Sequence, residues 1–148
     1  MDLPFTKIMG SYNFIVEIDG LLVAGFSEVT GLQSETEYEE YAEGGVNEYY
    51  HRLPKRTKLS PITLRRGISP PTAVWDLWGW YSDVVKGKVK RKNGSIILYD
   101  HYGLHVCRWN FFDAFPTKWV GPDLDASRSE VAIESIEIVH NGLKALHI

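Results

Sequence analysis

The chain has 148 residues, enough for one domain with a real core, and 44% of them are apolar, which excludes disorder through lack of core material. With 16 basic and 19 acidic residues the formal net charge is −3, so the chain as a whole has no attraction to nucleic acid or to an anionic membrane. The single cysteine, Cys107, excludes an internal disulfide, and no segment approaches the roughly 18 apolar residues of a bilayer span. Met1-Asp2-Leu3-Pro4-Phe5 carries no basic leader before an apolar run, and the expectation is synthesis in the cytoplasm as a soluble protein.

Tyr12, Phe14, Val16 and Ile18 alternate with Asn13, Ile15, Glu17 and Asp19, the period of a strand with one apolar face. Asp19-Gly20 reads as a type I′ turn, and Leu21 to Phe26 as the returning strand of a hairpin. From Gln33 to Lys58 the pattern turns polar. Glu35, Glu37, Glu39, Glu40 and Glu43 make its first half acidic, Gly44-Gly45 divides it, and Arg52, Lys55, Arg56 and Lys58 make its second half basic. This segment, about 33–58, is expected to project as a polar hairpin or loop.

Pro61 to Gly67 returns to alternation, with Ile62 and Leu64 on one face and Thr63 and Arg65 on the other. Ser69 and Pro70 have the chemistry of a helix N-cap and first turn. Val74, Leu77, Trp78, Tyr81 and Val85 then recur at helical spacing, and Gly87 suits the left-handed stop, which predicts a helix over about 73–86. Trp75 and Trp80 lie off that stripe by roughly 100° or more. Two readings stand for them: contacts with a neighbouring subunit, or a wide core-facing helix surface.

Asn93-Gly94 is a turn signal, and Ser95 to Asp100 with Leu104 to Asp113 reads as a hairpin joined near Gly103. Val131 and Ile133 are out of phase with Ile136 and Ile138, which predicts a bulge or bend near Ser135. The total is six or seven strands and one helix without regular β-α alternation. This predicts a mainly β chain of one domain, 1–148: an antiparallel barrel or sandwich with one packed helix.

At these positions the chain resembles the tail tube protein family of contractile-tailed phages and related extracellular injection particles. The residues that carry the resemblance are Phe14-Ile15-Val16-Glu17-Ile18-Asp19-Gly20, Phe26-Ser27-Glu28-Val29-Thr30-Gly31-Leu32, Glu43-Gly44-Gly45-Val46-Asn47 and Ile62-Thr63-Leu64-Arg65-Arg66-Gly67. It continues through Trp109-Asn110-Phe111, Ala114-Phe115-Pro116-Thr117-Lys118-Trp119 and the stretch from Val131 to Leu143. Lys55 after Pro54, and Asn141, depart from that family's usual glycine and acidic residue.

The resemblance implies a β-barrel subunit that forms six-membered rings, stacked into a rigid hollow tube inside a sheath, with the ring protein of type VI secretion as a distant relative. It implies as partners other copies of the chain, a sheath protein, and baseplate or spike proteins, with DNA or protein cargo in transient passage. It implies a phage tail or a released injection particle, assembled in the bacterial cytoplasm. A tube initiator is the nearer alternative, and a lone ligand-binding barrel the alternative of a different class.

Stacking is heterologous and needs unlike surfaces on the two ends. The candidate contacts are Glu37, Glu39 and Glu40 with Arg52, Lys55, Arg56 and Lys58, the arm reaching an adjoining subunit; the alternative is charge that only solvates a loop. Open strand edges are the second candidate interface.

His101 and His105 are too far apart along a strand for a shared ion, and His105 with Cys107 makes only two ligands. The basic run Lys86, Lys88, Lys90, Arg91 and Lys92 reads as solvated or facing an acidic neighbour rather than holding nucleic acid. No phosphate-binding loop, nucleophile elbow or metalloprotease motif is present, so no catalytic residue, cofactor or metal is expected.

Overall fold

The structure is a computed structural model that describes residues 13–19, 21, 25–42, 44, 50–68 and 75–147, with the side chains of Trp75 and His147 outside the description. Nine strands and one helix follow in the order β1 (Phe14–Ile18), β2 (Phe26–Thr30), β3 (Ser34–Tyr41), β4 (His51–Leu59), β5 (Ile62–Gly67), α1 (Trp75–Val85), β6 (Lys92–Tyr99), β7 (His105–Val120), β8 (Ile133–Val139) and β9 (Gly142–His147). Every strand pair is antiparallel.

β7 organises the molecule. Its first half lies between β6 and β9, giving a sheet in the order β1-β6-β7-β9, and its second half joins a sheet in the order β2-β5-β8-β7. At the corner between the halves Phe112 and Asp113 together stand against Asn93, one residue more on β7 than on β6, and Asp113 takes φ 54° there, held by its N–H to Asn93 Oδ1 at 3.0 Å. A bulge of this kind bends a strand and lets it change sheets. β8 and β9 turn the same corner at His140 and Asn141, where Asn141 N–H donates to the Phe112 carbonyl at 2.9 Å. The two layers form an open sandwich, not a closed barrel.

Alternation fills the space between the layers with Val16, Ile18, Ile62, Leu64, Ile96, Phe111, Ile136 and Ile138. Leu77 and Trp80 bring α1 into that core. The helix ends where glycine is needed: Gly87 has φ 84°, its N–H donates to Val84 O at 3.0 Å, and Lys88 N–H to Asp83 O at 2.7 Å.

Several expectations change. The buried helix face keeps Leu77 of the predicted stripe and adds Trp80, while Trp78 is 40% and Val85 69% exposed and Val74 lies outside the described residues. Ser69 and Pro70 also lie outside them. Leu21 N–H does close a turn on Ile18 O at 3.1 Å; Gly20 and residues 22–24 of the predicted returning strand lie outside the described residues, and from Phe26 the chain pairs with β5 while β1 pairs with β6.

Asn93-Gly94 lies inside β6 and is not a turn. Its glycine serves close packing, because a Cβ there would stand 2.2 Å from Phe111 Cζ and 2.7 Å from Glu17 O. No bulge interrupts the β5–β8 register near Ser135. Val131 and Ile133 point outward, and Glu134 takes the buried position instead. The hairpin joined near Gly103 forms as predicted, closed by Tyr102 and Leu104 N–H groups on Asp100 Oδ1, both at 2.9 Å.

Candidate assembly interface

β3 and β4 form a two-stranded ribbon that pairs with no other described strand. It prolongs the β2–β5 pair beyond a root where Ser60 N–H donates to Gln33 O at 3.2 Å. Gly31, at φ 94°, lies so close to Pro61 that a Cβ would stand 2.0 Å from its carbonyl oxygen, so only glycine lets the two stalks meet. From Ser34 to Tyr41 every side chain is exposed, as are Arg52 to Lys58. The polar segment therefore stands away from the core as an arm, with β4 reaching one residue beyond the predicted 33–58.

The acidic and basic halves face each other across this ribbon. Lys58 Nζ lies 2.8 Å from Glu37, Arg52 Nε 3.2 Å from Glu40, and Lys55 Nζ 3.9 Å from Glu39. Hydrogen bonding to Glu37, with its charge, raises the Lys58 pKa. Thr36 and Thr57 hydroxyls bond at 2.9 Å, and Tyr41 stacks on His51. Arg56 is exposed beside the register shift between Thr36 and Tyr38. The chain thus brings all three predicted carboxylates to predicted cations within its own arm.

Trp80 is corrected as an interface candidate. It is 3% exposed, and its indole N–H donates to Lys90 O at 2.8 Å, tying the helix to the loop after it. The Trp75 side chain lies outside the described residues. Trp78, not predicted, is partly exposed and meets Trp119 edge-on with centroids 4.9 Å apart.

Among the described strands, the four-stranded sheet ends in β1 on one side and β9 on the other. On the outer edge of β1 the described residues contribute only the bridge of Leu21 to Ile18, and none pairs with the outer edge of β9. Two members of the basic run are engaged with their own chain: Lys90 lies 3.6 Å from Asp83, and Arg91 lies over the Phe115 ring at 4.8 Å. Among the described residues no three His, Cys, Asp or Glu side chains could hold a metal. Burial raises the Cys107 thiol pKa, which suits a packing role.

Sequence reasoning missed a buried charge cluster. Arg66, fully buried, donates Nε–H to Glu134 Oε1 at 2.5 Å and reaches both Asp76 oxygens through Nη1 and Nη2. Trp119 Nε1–H donates to the second Glu134 oxygen at 3.2 Å. Burial alone would lower the Arg66 pKa, but the hydrogen bonds of Asp76 and Glu134 outweigh it and raise it. The signal was phase: Arg66 continues the inward series Ile62, Leu64, two residues at a time.

Residues 10–144 match the family of the T4-like virus tail tube protein gp19. The chain belongs to this tail tube family. The tube family's fold recurs in a solved extracellular contractile injection system, the PVC sheath-tube complex in its extended state, at 26% identity and TM-score 0.82 over 95% of this chain and 93% of that one. It recurs in the tube-terminating cap of the anti-feeding prophage at 25% identity and TM-score 0.85, over 100% and 97%. Hcp1 from Flavobacterium johnsoniae shares the fold at 14% identity and TM-score 0.52, over 88% and 93%. No curated protein sequence matches. The chain is a tube protein of the contractile injection class.

Proposed function

We propose that this tube protein is the repeating subunit of the inner tube, assembling as six-membered rings that stack around a channel through which DNA or protein cargo passes. The family match over residues 10–144 carries the reading. Two features of the molecule support it. The four-stranded sheet ends in a β9 edge on which no described strand pairs, so a copy can continue it sideways, and the arm offers both signs of charge to a ring above or below. A sheath protein would meet the outer surface and baseplate or spike proteins the tube's end, with no catalytic step. Particle assembly in the bacterial cytoplasm goes with the same reading.

Negative-stain microscopy and native mass spectrometry of the purified chain test this. Six-membered rings or long hollow tubes are expected. Rings that never stack would favour the tube initiator, and a monomer at every concentration and salt would favour the lone binding barrel.

A further inference from the structure

We propose that the arm of one copy docks in a groove on the outward face of β5, β8 and the second half of β7 in a copy of the adjoining ring. Leu53 and Tyr41 lie against Val120 and Ile133 there, and Arg56 against Asp123 and Glu130. The inference rests on the tube-subunit reading and adds to it the surface that receives the arm.

Arm and groove stand towards opposite ends of one sheet. The arm leaves the β2–β5 pair at Thr30 and Thr63, the last partners before its root. From there β5 runs away from the arm to Gly67, which lies opposite Ile133 at the start of β8. Towards that end a groove of about 440 Å³ opens on the face turned from the core, with Arg65, Lys118, Val120, Asp123, Glu130 and Ile133 among its walls. Copies stacked head to tail along the strands bring the arm end of one to the groove end of the next, the heterologous contact that a stack requires.

The 8 residues of β3, at about 3.4 Å each, make an arm of roughly 27 Å, against about 14 Å of groove floor from Glu137 to Ile133. Such an arm can cross a junction and still cover the floor. The groove lies one or two strands, about 5–10 Å, to the side of the arm's axis, an offset that rotating one ring against the next supplies.

Both surfaces carry apolar side chains that folding leaves uncovered: Val120 and Ile133 in the groove and Tyr41 and Leu53 on the arm are each 45–49% exposed. Leu53 stands opposite Glu39 and Tyr41 opposite His51, so the two share one face of the ribbon near its tip. Docking removes both apolar patches from water.

Charge fits the same orientation. The tip enters first, so residues nearer the arm's root stay nearer the groove's mouth. Arg56 lies rootward of Leu53, in a bulge where Lys55 and Arg56 together stand against Glu37, and it has no ion-pair partner among the described residues. At the mouth Asp123 has none among them either, and Glu130 has only a contact of 3.9 Å with Arg128. Deeper in, beyond Val120 on the same face of β7, Lys118 is exposed and also unpaired among the described residues. Glu39, opposite Leu53, arrives beside it. Opposite charges thus meet at both depths, and sliding the arm along the groove separates both pairs.

The experiment compares wild type with Arg56→Glu, with Asp123→Arg plus Glu130→Arg, and with all three changes together. Native mass spectrometry reads rings, negative-stain microscopy reads tubes, and circular dichroism is the fold control. Each ring-to-ring step repeats the contact around the ring, so a modest pair adds up. Rings should form as in wild type throughout. The concentration needed for tubes should rise about tenfold or more in the first two variants and return to within about threefold of wild type in the third. Normal tubes from the groove variant would leave the groove to another occupant, such as a sheath or baseplate protein, and overturn the proposal. A triple variant no better than its worse parent, or loss of the rings themselves, would overturn it too.

Leu53→Cys with Val120→Cys, in a Cys107→Ser background, gives an independent reading. A short bismaleimide should link copies into a ladder in assembled tubes and not in separate rings, because the arm and groove of one chain serve opposite ends. Tubes that yield no ladder would overturn the docking. A wild type that never stacks into tubes refutes the repeating-subunit reading and the docking with it, whereas wild-type tubes indifferent to both sides of the contact refute the docking alone.

Discussion

The arm and the junction of β5, β8 and α1 use the same charged groups under opposite conditions. In the arm, Glu37, Glu39 and Glu40 face Lys58, Lys55 and Arg52 in open solvent, where such pairs contribute roughly 0–1 kcal/mol each. At the junction, Arg66 and Glu134 are fully buried, with Asp76 and Trp119 completing their hydrogen bonds. Charge in the second place holds the layers and the helix together. Charge in the first place adds little to folding and is available for recognition.

The largest expected effect follows from breaking the buried set. Glu134→Ala removes one carboxylate from the buried Arg66 guanidinium and frees the Trp119 N–H, and should cost about 3–5 kcal/mol in urea unfolding. A loss under about 1 kcal/mol would mean water already reaches Arg66. Next comes the root of the arm. Gly31→Ala meets the Pro61 carbonyl in a left-handed backbone, and should cost about 2–3 kcal/mol while leaving the core packing unchanged by near-ultraviolet dichroism.

The smallest effect belongs to the arm's own ion pairs. Lys58 has its folded pKa raised above the ordinary 10.5, so its contribution is complete below that pH and is lost as pH rises through the folded value. Protection of the β3 and β4 amides, taken relative to their intrinsic base-catalysed exchange, should therefore fall on alkaline titration before the global unfolding transition moves. Simultaneous loss of both would mean that the arm and the core unfold together.

Much of this contrast could be read from residue order. The acidic and basic halves of 33–58 marked the arm because no apolar series competes there, and Ile62 with Leu64 fixed the inward face of β5. Arg66 continued that face and was still left outside the core, because a charge is excluded by type unless its partner is known. That partner, Glu134, lies 68 residues away. The same omission turned the phase of Val131 and Ile133 into a bulge that does not exist.

Asn93-Gly94 misled for a different reason. A turn and a close approach of Phe111 both require glycine, and only the long-range pairing of β6 with β7 separates them. Trp80 was open between core and interface because period alone does not say how wide a helix's buried face is.

We propose that the arm's charge serves assembly while the buried charge serves folding. The most direct measurement sets Glu39→Lys with Glu40→Lys beside a fourfold variant that adds Arg52→Glu and Lys55→Glu, restoring the arm's internal pairs with reversed sign. Melting temperature and tube formation are read on both. For an arm that meets the adjoining ring outside that ring's own arm, melting within about 2 °C of wild type is predicted for each and no tubes from either, because both present the wrong charge to that surface. Normal tubes from the double variant, or tubes recovered in the fourfold one, would show that the arm's charges act only within the arm.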